Sequence, residues 1–322
     1  MKVALVLGAG GVTGGAFHAG VLAALHDELG WDARRADVVI GTSAGSMAGA
    51  ALRAGLSPRD LYARATGRPL SVEGARLVRS MPPPPSHFPL RREVRARAGR
   101  RPAAAANLGR MALSRASIGA MAAALLPRGE IPIADLAAGF DPLFRDAWPR
   151  DPLWVCAVRL TDGRRVVFGR EGHPKAPVAQ AVASSCAIPG YFSPVAIDGV
   201  DHVDGGVHSP TNLDLVAGLG YDLVVVSSPM SIAGRGIRVA ADTALRRACR
   251  AFLDREAIAV RRRGTPVVAF QPTPDDASVM GVNAMDPSRR SEVARRIYDS
   301  TKQRLARADM GERLRALQVT SG

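Results

Sequence analysis

The chain has 322 residues, 47% hydrophobic and only 5% aromatic, so it can bury one large α/β core or two ordinary ones, and it suits helix-on-sheet packing better than an all-β sandwich. The formal charge of +14 is carried almost wholly by arginine, with Lys only at positions 2, 175 and 302; it reads as a solvated basic face or a surface for an anionic membrane. No zinc-finger spacing or aromatic-flanked RNA signature accompanies the charge, so no nucleic-acid partner is expected, and the three cysteines at 156, 186 and 249 fit reduced core positions rather than a disulfide frame or metal site.

In chain order, KVALVL (2–7) predicts a short buried strand, GAGGVTGG (8–15) a glycine turn, and AFHAGVLAALHDEL an amphipathic helix with Phe17, Val21, Leu25 and Leu29 four apart. The opening MKVALVL is too short an apolar run for a signal peptide and reads as this first strand. DVVIG (37–41) and the small-residue helix after Ser43 repeat the design, and two βα units predict a parallel sheet covered on both faces. Between about 68 and 150 the pattern breaks. MPPPPSHFPL (81–90) cannot be a helix interior or central strand, and an arginine cluster from Arg91 to Arg101 precedes a helical run over 103–126. Basic charge beside an apolar stripe suits a lid or interfacial surface, and an ordinary helical insertion fits the same residues. LWVCAVRL, the turn TDGR and RVVFG then predict a hairpin, PVAQAVASSCA a helix, YDLVVVSSP and TPVVAFQP further strands, with helices over 238–263 and 288–317. No apolar stretch reaches the roughly 18 to 20 residues a membrane span needs.

Three short stretches carry candidate chemistry. GTSAG (41–45) sits where a buried strand hands over to a helix, with Gly41 and Gly45 leaving room for a tight turn around Ser43. Composition alone yields a G-x-S-x-G in roughly one such chain in five, and serine is among the best helix N-caps, so the pentapeptide by itself leaves nucleophile and cap both open. GAGGVTGG raises the dinucleotide fingerprint, but Thr13 stands where that register needs glycine. Read instead as a concavity of backbone N–H groups, Gly10, Gly11 and Val12 fit an oxyanion hole. VDGGV (203–207) sets Asp204 at a strand end before Gly205 and Gly206, where a plain Asp-Gly turn is the competing reading.

The ordered set GAGGVTGGAFHAGVL, IGTSAGSMAGA and ASSCAIPGYFSPVAIDGVDHVDGG followed by SPTN resembles the patatin-like phospholipase family over most of residues 3–227. The resemblance implies a three-layer α/β/α fold with a mainly parallel central sheet, here as a single domain over 1–322 with the 68–150 insertion and a helical C-terminal segment at 288–317. It implies lipid acyl esters as substrates, no metal or organic cofactor, Ser43 as nucleophile, Asp204 as general base, and Gly10, Gly11 and Val12 as the oxyanion loop. Thr13 departs from it, standing where the family's loop carries a basic residue.

In a Ser-Asp dyad the carboxylate must be partly buried within reach of the hydroxyl, because an unperturbed aspartate is a poor base for it. A Ser-His-Asp triad through His202 or His208 is the nearest competitor, with His18, His26, His87 and His173 assigned structural or solvated roles. A silent lipid-binding protein of the same fold and a Rossmann-type oxidoreductase are the rivals from other classes. The expected location is the cytoplasm, with peripheral contact at an anionic membrane, and the sequence leaves the oligomeric state open.

Overall fold

The computed structural model describes residues 1–79, 102–114, 116–133, 137–145, 147–234 and 243–308, together with 310, 313, 314 and 317. The proline run at 81–90 and the Arg91–Arg101 cluster lie outside the described residues. The first half of the chain alternates as β1 (Val3–Leu7), α1 (Gly11–Leu29), β2 (Val38–Thr42) and α2 (Ala44–Arg53), and continues through α3 (Pro58–Thr66) and α4 (Val72–Val78). The predicted insertion, which α4 opens, continues among the described residues with the short helices α5 (Leu108–Leu113), α6 (Ile118–Leu125) and α7 (Asp141–Phe144). Then come β3 (Leu153–Arg159), β4 (Arg165–Phe168), α8 (Val178–Cys186), β5 (Val195–Ile197), β6 (Val200–Asp204) and β7 (Leu223–Ser227). The chain closes with α9 (Thr243–Arg261), β8 (Val267–Phe270), α10 (Pro274–Met280) and α11 (Arg290–Leu305).

The eight strands among the described residues join one sheet in the order β5-β6-β3-β2-β1-β7-β8, with β4 also paired to β3. The five strands β3, β2, β1, β7 and β8 run parallel, while β4 and β6 are antiparallel to β3, and β5 to β6. Side chains alternate between two apolar layers. Leu5, Leu7, Val39 and Val225 face the layer that α1, α2, α8 and α11 cover, and Ala4, Val6, Ile40 and Val224 face the one that α9 and the turn at Leu213–Val216 cover. Burial on both faces is why these strands read as unbroken apolar runs and why the fold is a three-layer α/β/α sandwich.

Strand β3 sets the geometry of everything that follows. Its Val155 and Cys156 pair with both β4 and β2, and its Ala157 and Val158 with both β4 and β6. A strand has two edges, so β2 and β6 must share the edge opposite β4. They arrive along it from opposite directions: β2 ends with Thr42 against Cys156, and β6 ends with Asp204 against Ala157. The residue after Thr42 and the last residue of β6 are therefore brought together.

Helix α1 departs from its amphipathic expectation. Apart from Gly15, every residue from Thr13 to Leu25 is buried, because α1 is sandwiched between the sheet and α11, whose Ala294 carbonyl would stand 2.7 Å from a Cβ on Gly20. The α2 start packs as tightly: a Cβ on Gly45 would lie 1.9 Å from the Leu7 carbonyl oxygen. Gly45→Ala is accordingly expected to destabilise the protein by about 3 kcal/mol or more, since the obstacle is backbone and not a movable side chain. Gly15→Ala, where nothing lies within 4 Å, should be neutral or stabilising by up to about 1 kcal/mol. Denaturant titration of the two variants beside wild type checks both signs.

Candidate active site

Strand β2 hands over to α2 through Ser43 alone, whose backbone sits at φ 55 and ψ −122. A non-glycine residue with positive φ stores on the order of 1–3 kcal/mol and needs neighbours that fix it. Those neighbours are present. The Ser43 N–H donates to Ser185 Oγ at 2.9 Å, Ser185 Oγ donates to the Cys156 carbonyl at 2.7 Å, and the Ser46 N–H donates to the Ser43 carbonyl at 2.8 Å. Although Ser43 occupies the N-cap position of α2, its side chain makes no capping hydrogen bond there. The Ser43 side chain instead stands close enough to the Asp204 carboxyl to lower its pKa, as it does that of the Cys186 thiol, and both Ser43 and Asp204 are buried, at 4% and 5% exposure.

Burial pushes the Asp204 carboxyl up to about 6, and the Ser43 side chain and the hydrogen bond from the Gly206 N–H, 2.7 Å from Oδ1, pull it back only in part. Neither candidate histidine hydrogen-bonds Asp204. His202 Nδ1–H donates to its neighbour's carbonyl, Val200 O, at 2.8 Å, and its ring packs on Phe168. His208 lies within the influence of Arg165 and Asp214, and desolvation lowers its basicity.

The glycine loop is fixed at its start and open at its end. Gly8 donates to Ser227 O at 2.9 Å and Ala9 to Pro210 O at 2.8 Å. His18, fully buried on α1, closes a ring around Gly8: a carbonyl can only accept, so Nε2–H donates to Gly8 O at 2.8 Å and Nδ1 accepts from Ser227 Oγ at 2.7 Å. Desolvation lowers the His18 pKa to about 4, which keeps the ring neutral, as this bonding pattern requires. Beyond Ala9, the N–H groups of Gly10, Gly11 and Val12 make no hydrogen bond to a described residue, and they stand at the N-terminus of a 19-residue helix where the macrodipole favours negative charge. The loop lies beside the aspartate turn, since a Cβ on Gly206 would be 3.3 Å from that of Ala9. Thr13 is buried, its N–H bonded to Ala284 O, so no charge replaces the basic residue expected there.

Behind Ser43 the polar groups are satisfied by residues that the motifs did not single out. Asn212 Nδ2 donates to Thr42 Oγ1 at 3.0 Å, Arg165 donates to Asn212 Oδ1 and pairs with both Asp214 oxygens, and Glu256 accepts from Thr211 Oγ1 and the Leu213 N–H. Among the described residues no group of His, Cys, Asp or Glu is arranged to hold a metal ion.

The family model described as "Patatin-like phospholipase" matches residues 5–100 and 155–217, which contain Ser43, Asp204 and the glycine loop. The chain belongs to the patatin-like phospholipase family. Solved structures similar to this patatin-like chain include VipD from Legionella pneumophila, 15% identical at a TM-score of 0.40, covering 94% of this chain and 66% of that one. Human GIVD cytosolic phospholipase A2, solved with methyl gamma-linolenyl fluorophosphonate, is 14% identical at a TM-score of 0.39, covering 100% and 60%. The patatin-like chain thus spans less than two thirds of the length of either.

The raised carboxyl makes a thermodynamic prediction independent of any activity. Between pH 3.8 and about 6 the folded protein holds a proton on Asp204 that the unfolded chain has released, so this group's contribution to stability falls as pH rises through that window. The loss above it is on the order of 3 kcal/mol. Asp204→Asn should therefore gain about 1–3 kcal/mol over wild type at pH 8 and little at pH 4. Urea titrations of both proteins at the two pH values read the difference, and an equal offset at both would mean an unperturbed carboxyl.

Proposed function

We propose that this patatin-like protein is a serine acyl hydrolase that cleaves lipid carboxylic esters, of the phospholipase A or lysophospholipase type. The observation that carries the reading is the Ser43 side chain: held on a strained turn, it leaves its own helix uncapped and stands beside a buried carboxylate. In this reaction the Asp204 carboxylate takes the Ser43 proton as Oγ attacks the ester carbonyl, and the N–H groups of Gly10, Gly11 and Val12 stabilise the oxyanion. The tetrahedral intermediate collapses, the C–O bond breaks, and Asp204 returns the proton to the leaving alcohol. Water then gives its proton to the same carboxylate and attacks the acyl-serine; the acyl C–Oγ bond breaks, Asp204 returns the proton to Ser43 Oγ, and the fatty acid and the free enzyme are released. A carboxylate whose pKa stands near 6 is a better base than an ordinary one and is still ionised at neutral pH.

The rival readings each lack what this one has. A His-based triad has no imidazole on Asp204, and a dinucleotide site would need glycine where Thr13 stands. A silent lipid-binding protein would have no use for a strained serine on a desolvated carboxylate. The lipid substrate carries with it a peripheral contact with an anionic membrane.

A fluorophosphonate probe is expected to label wild type and not Ser43→Ala, and Asp204→Asn should lose at least a thousandfold in kcat on any ester that wild type turns over. The kcat/KM profile should rise tenfold per pH unit below about 6 and be flat above it, because only the ionised carboxylate accepts the proton. Full activity in Asp204→Asn, or a profile flat from pH 4.5 to 7, overturns the dyad. Ser185→Ala should lower kcat by about tenfold to a hundredfold with little change in KM, since it frees the strained Ser43 N–H and misplaces Oγ.

A further inference from the structure

Helix α6 has two apolar faces. Its inner face, Ala120, Ala123 and Ala124, is buried, with Ala120 and Ala124 packing beside Met111 on Val158 and Val203 of the sheet. Its outer face carries Ile118, Ala122, Leu125 and, one residue past the helix end, Leu126, at spacings of four, seven and eight that line up along one side. That side is open: Ile118 is 87% exposed, Leu125 55% and Leu126 44%, and Leu113 at the end of α5 is 89% exposed. A helix apolar all round is stable when both faces are covered, and a contiguous exposed apolar patch on a globular protein marks an interaction surface.

The surroundings narrow the partner. From Pro102 to Gly129 the sequence has no acidic residue, and Arg110 beside the patch is exposed. Of the acids near it, Asp162 is paired with Arg159 and Asp201 with Arg128, and exposed Glu130 follows four residues after Leu126. The patch is thus apolar with a basic margin, which repels a second copy of the same surface and suits an anionic lipid surface. Its seat ties it to the active site. Ser117 Oγ donates to Val207 O at 3.1 Å, and α6 lies so close that a Cβ on Gly119 would stand 2.0 Å from that oxygen, in the 3-10 turn Gly205–Val207 that directly follows Asp204.

We propose that Leu113 and the outer face of α6 insert into an anionic phospholipid surface and so present the lipid ester to the Ser43–Asp204 site. This rests on the hydrolase reading and adds to it the element that meets the bilayer: apolar side chains of α5 and α6.

The test compares wild type, the double variant Ile118→Asp with Leu125→Asp, and the single variant Leu113→Asp. Each is assayed for co-sedimentation with phosphatidylglycerol–phosphatidylcholine vesicles, hydrolysis of lipid in those vesicles, hydrolysis of a water-soluble butyrate ester, and elution volume. The expected result is a loss of tenfold or more in vesicle partition and vesicle hydrolysis for the double variant, with butyrate turnover within twofold of wild type. Leu113→Asp, at a helix end with almost no packing to lose, should show the same pattern more weakly and stands in if the double variant does not fold. Unchanged vesicle partition in the variants overturns the proposal, as does an unchanged partition together with loss of a wild-type dimer, which would assign the face to a second copy. Absence of butyrate and lipid turnover in wild type with partition still lost in the variants would remove the hydrolase reading and leave the docking surface standing.

Discussion

The arrangement that the rest of the structure depends on is the edge of β3 that β2 and β6 share end to end. Two strands running toward each other along one partner must stop where they meet, and their last residues are then neighbours without any loop having to hold them. Ser43 and Asp204 are 161 positions apart in the chain and adjacent in space because Cys156 and Ala157 are consecutive. A site built on strand ends is held more firmly than one built on loops, since each end inherits the position of a buried ladder.

Such a site has to carry two unfavourable things at once, a strained backbone at Ser43 and a desolvated carboxyl at Asp204. Neither is relieved by a counter-charge. The strain is held by neutral hydrogen bonds through Ser185 and Ser46, and the carboxyl is met by one hydroxyl and one amide. A cation placed there would make the carboxylate more comfortable and less basic. The charged groups nearest to it, half-buried Arg165 with Asp214 and buried Glu256 with its hydroxyl and amide donors, stand behind it, where Arg165 holds Thr42 through Asn212 and Glu256 holds the turn after β6.

Much of this was legible in the sequence, and the boundary between what was and was not has a physical cause. The strands β1, β2, β7 and β8 announce themselves because burial on both faces forces unbroken apolar runs, and the glycines at 41 and 45 because a Cβ at 41 would meet the Ser46 backbone and one at 45 the Leu7 carbonyl. What one sequence does not carry is pairing. The antiparallel arrival of β6, the clamp of Ser185 on Ser43 and the ring formed by His18, Gly8 and Ser227 join residues more than a hundred positions apart or use ordinary-looking serines and histidines, and no local pattern marks them. The pentapeptide likewise left capping and nucleophilic serine both open; that Ser43 makes no capping hydrogen bond followed only from the geometry of the turn. Helix α1 misled for a different reason: its spacing-four stripe is real, but a second helix covers the other side. In α6 the apolar stripe 118–126 was visible, but which residues of it face outward followed only from the packing of its alanines on the sheet.

The Ser43 N–H is already committed to Ser185, so in the proposed mechanism the nucleophile's own amide has no hydrogen left for an incoming carbonyl oxygen. The free amides belong to the turn after β1, a different strand. What separates attacking atom from stabilising dipoles is then the ladder in which Leu7 pairs with Gly41 and Val6 with Ile40. A slip of that ladder by one position would displace the two halves by about 3.3 Å while leaving every side chain chemically intact. The alignment of two adjacent strands in the buried middle of the sheet is therefore the ruler against which the reacting groups are measured, and apolar residues that never meet a substrate set its zero.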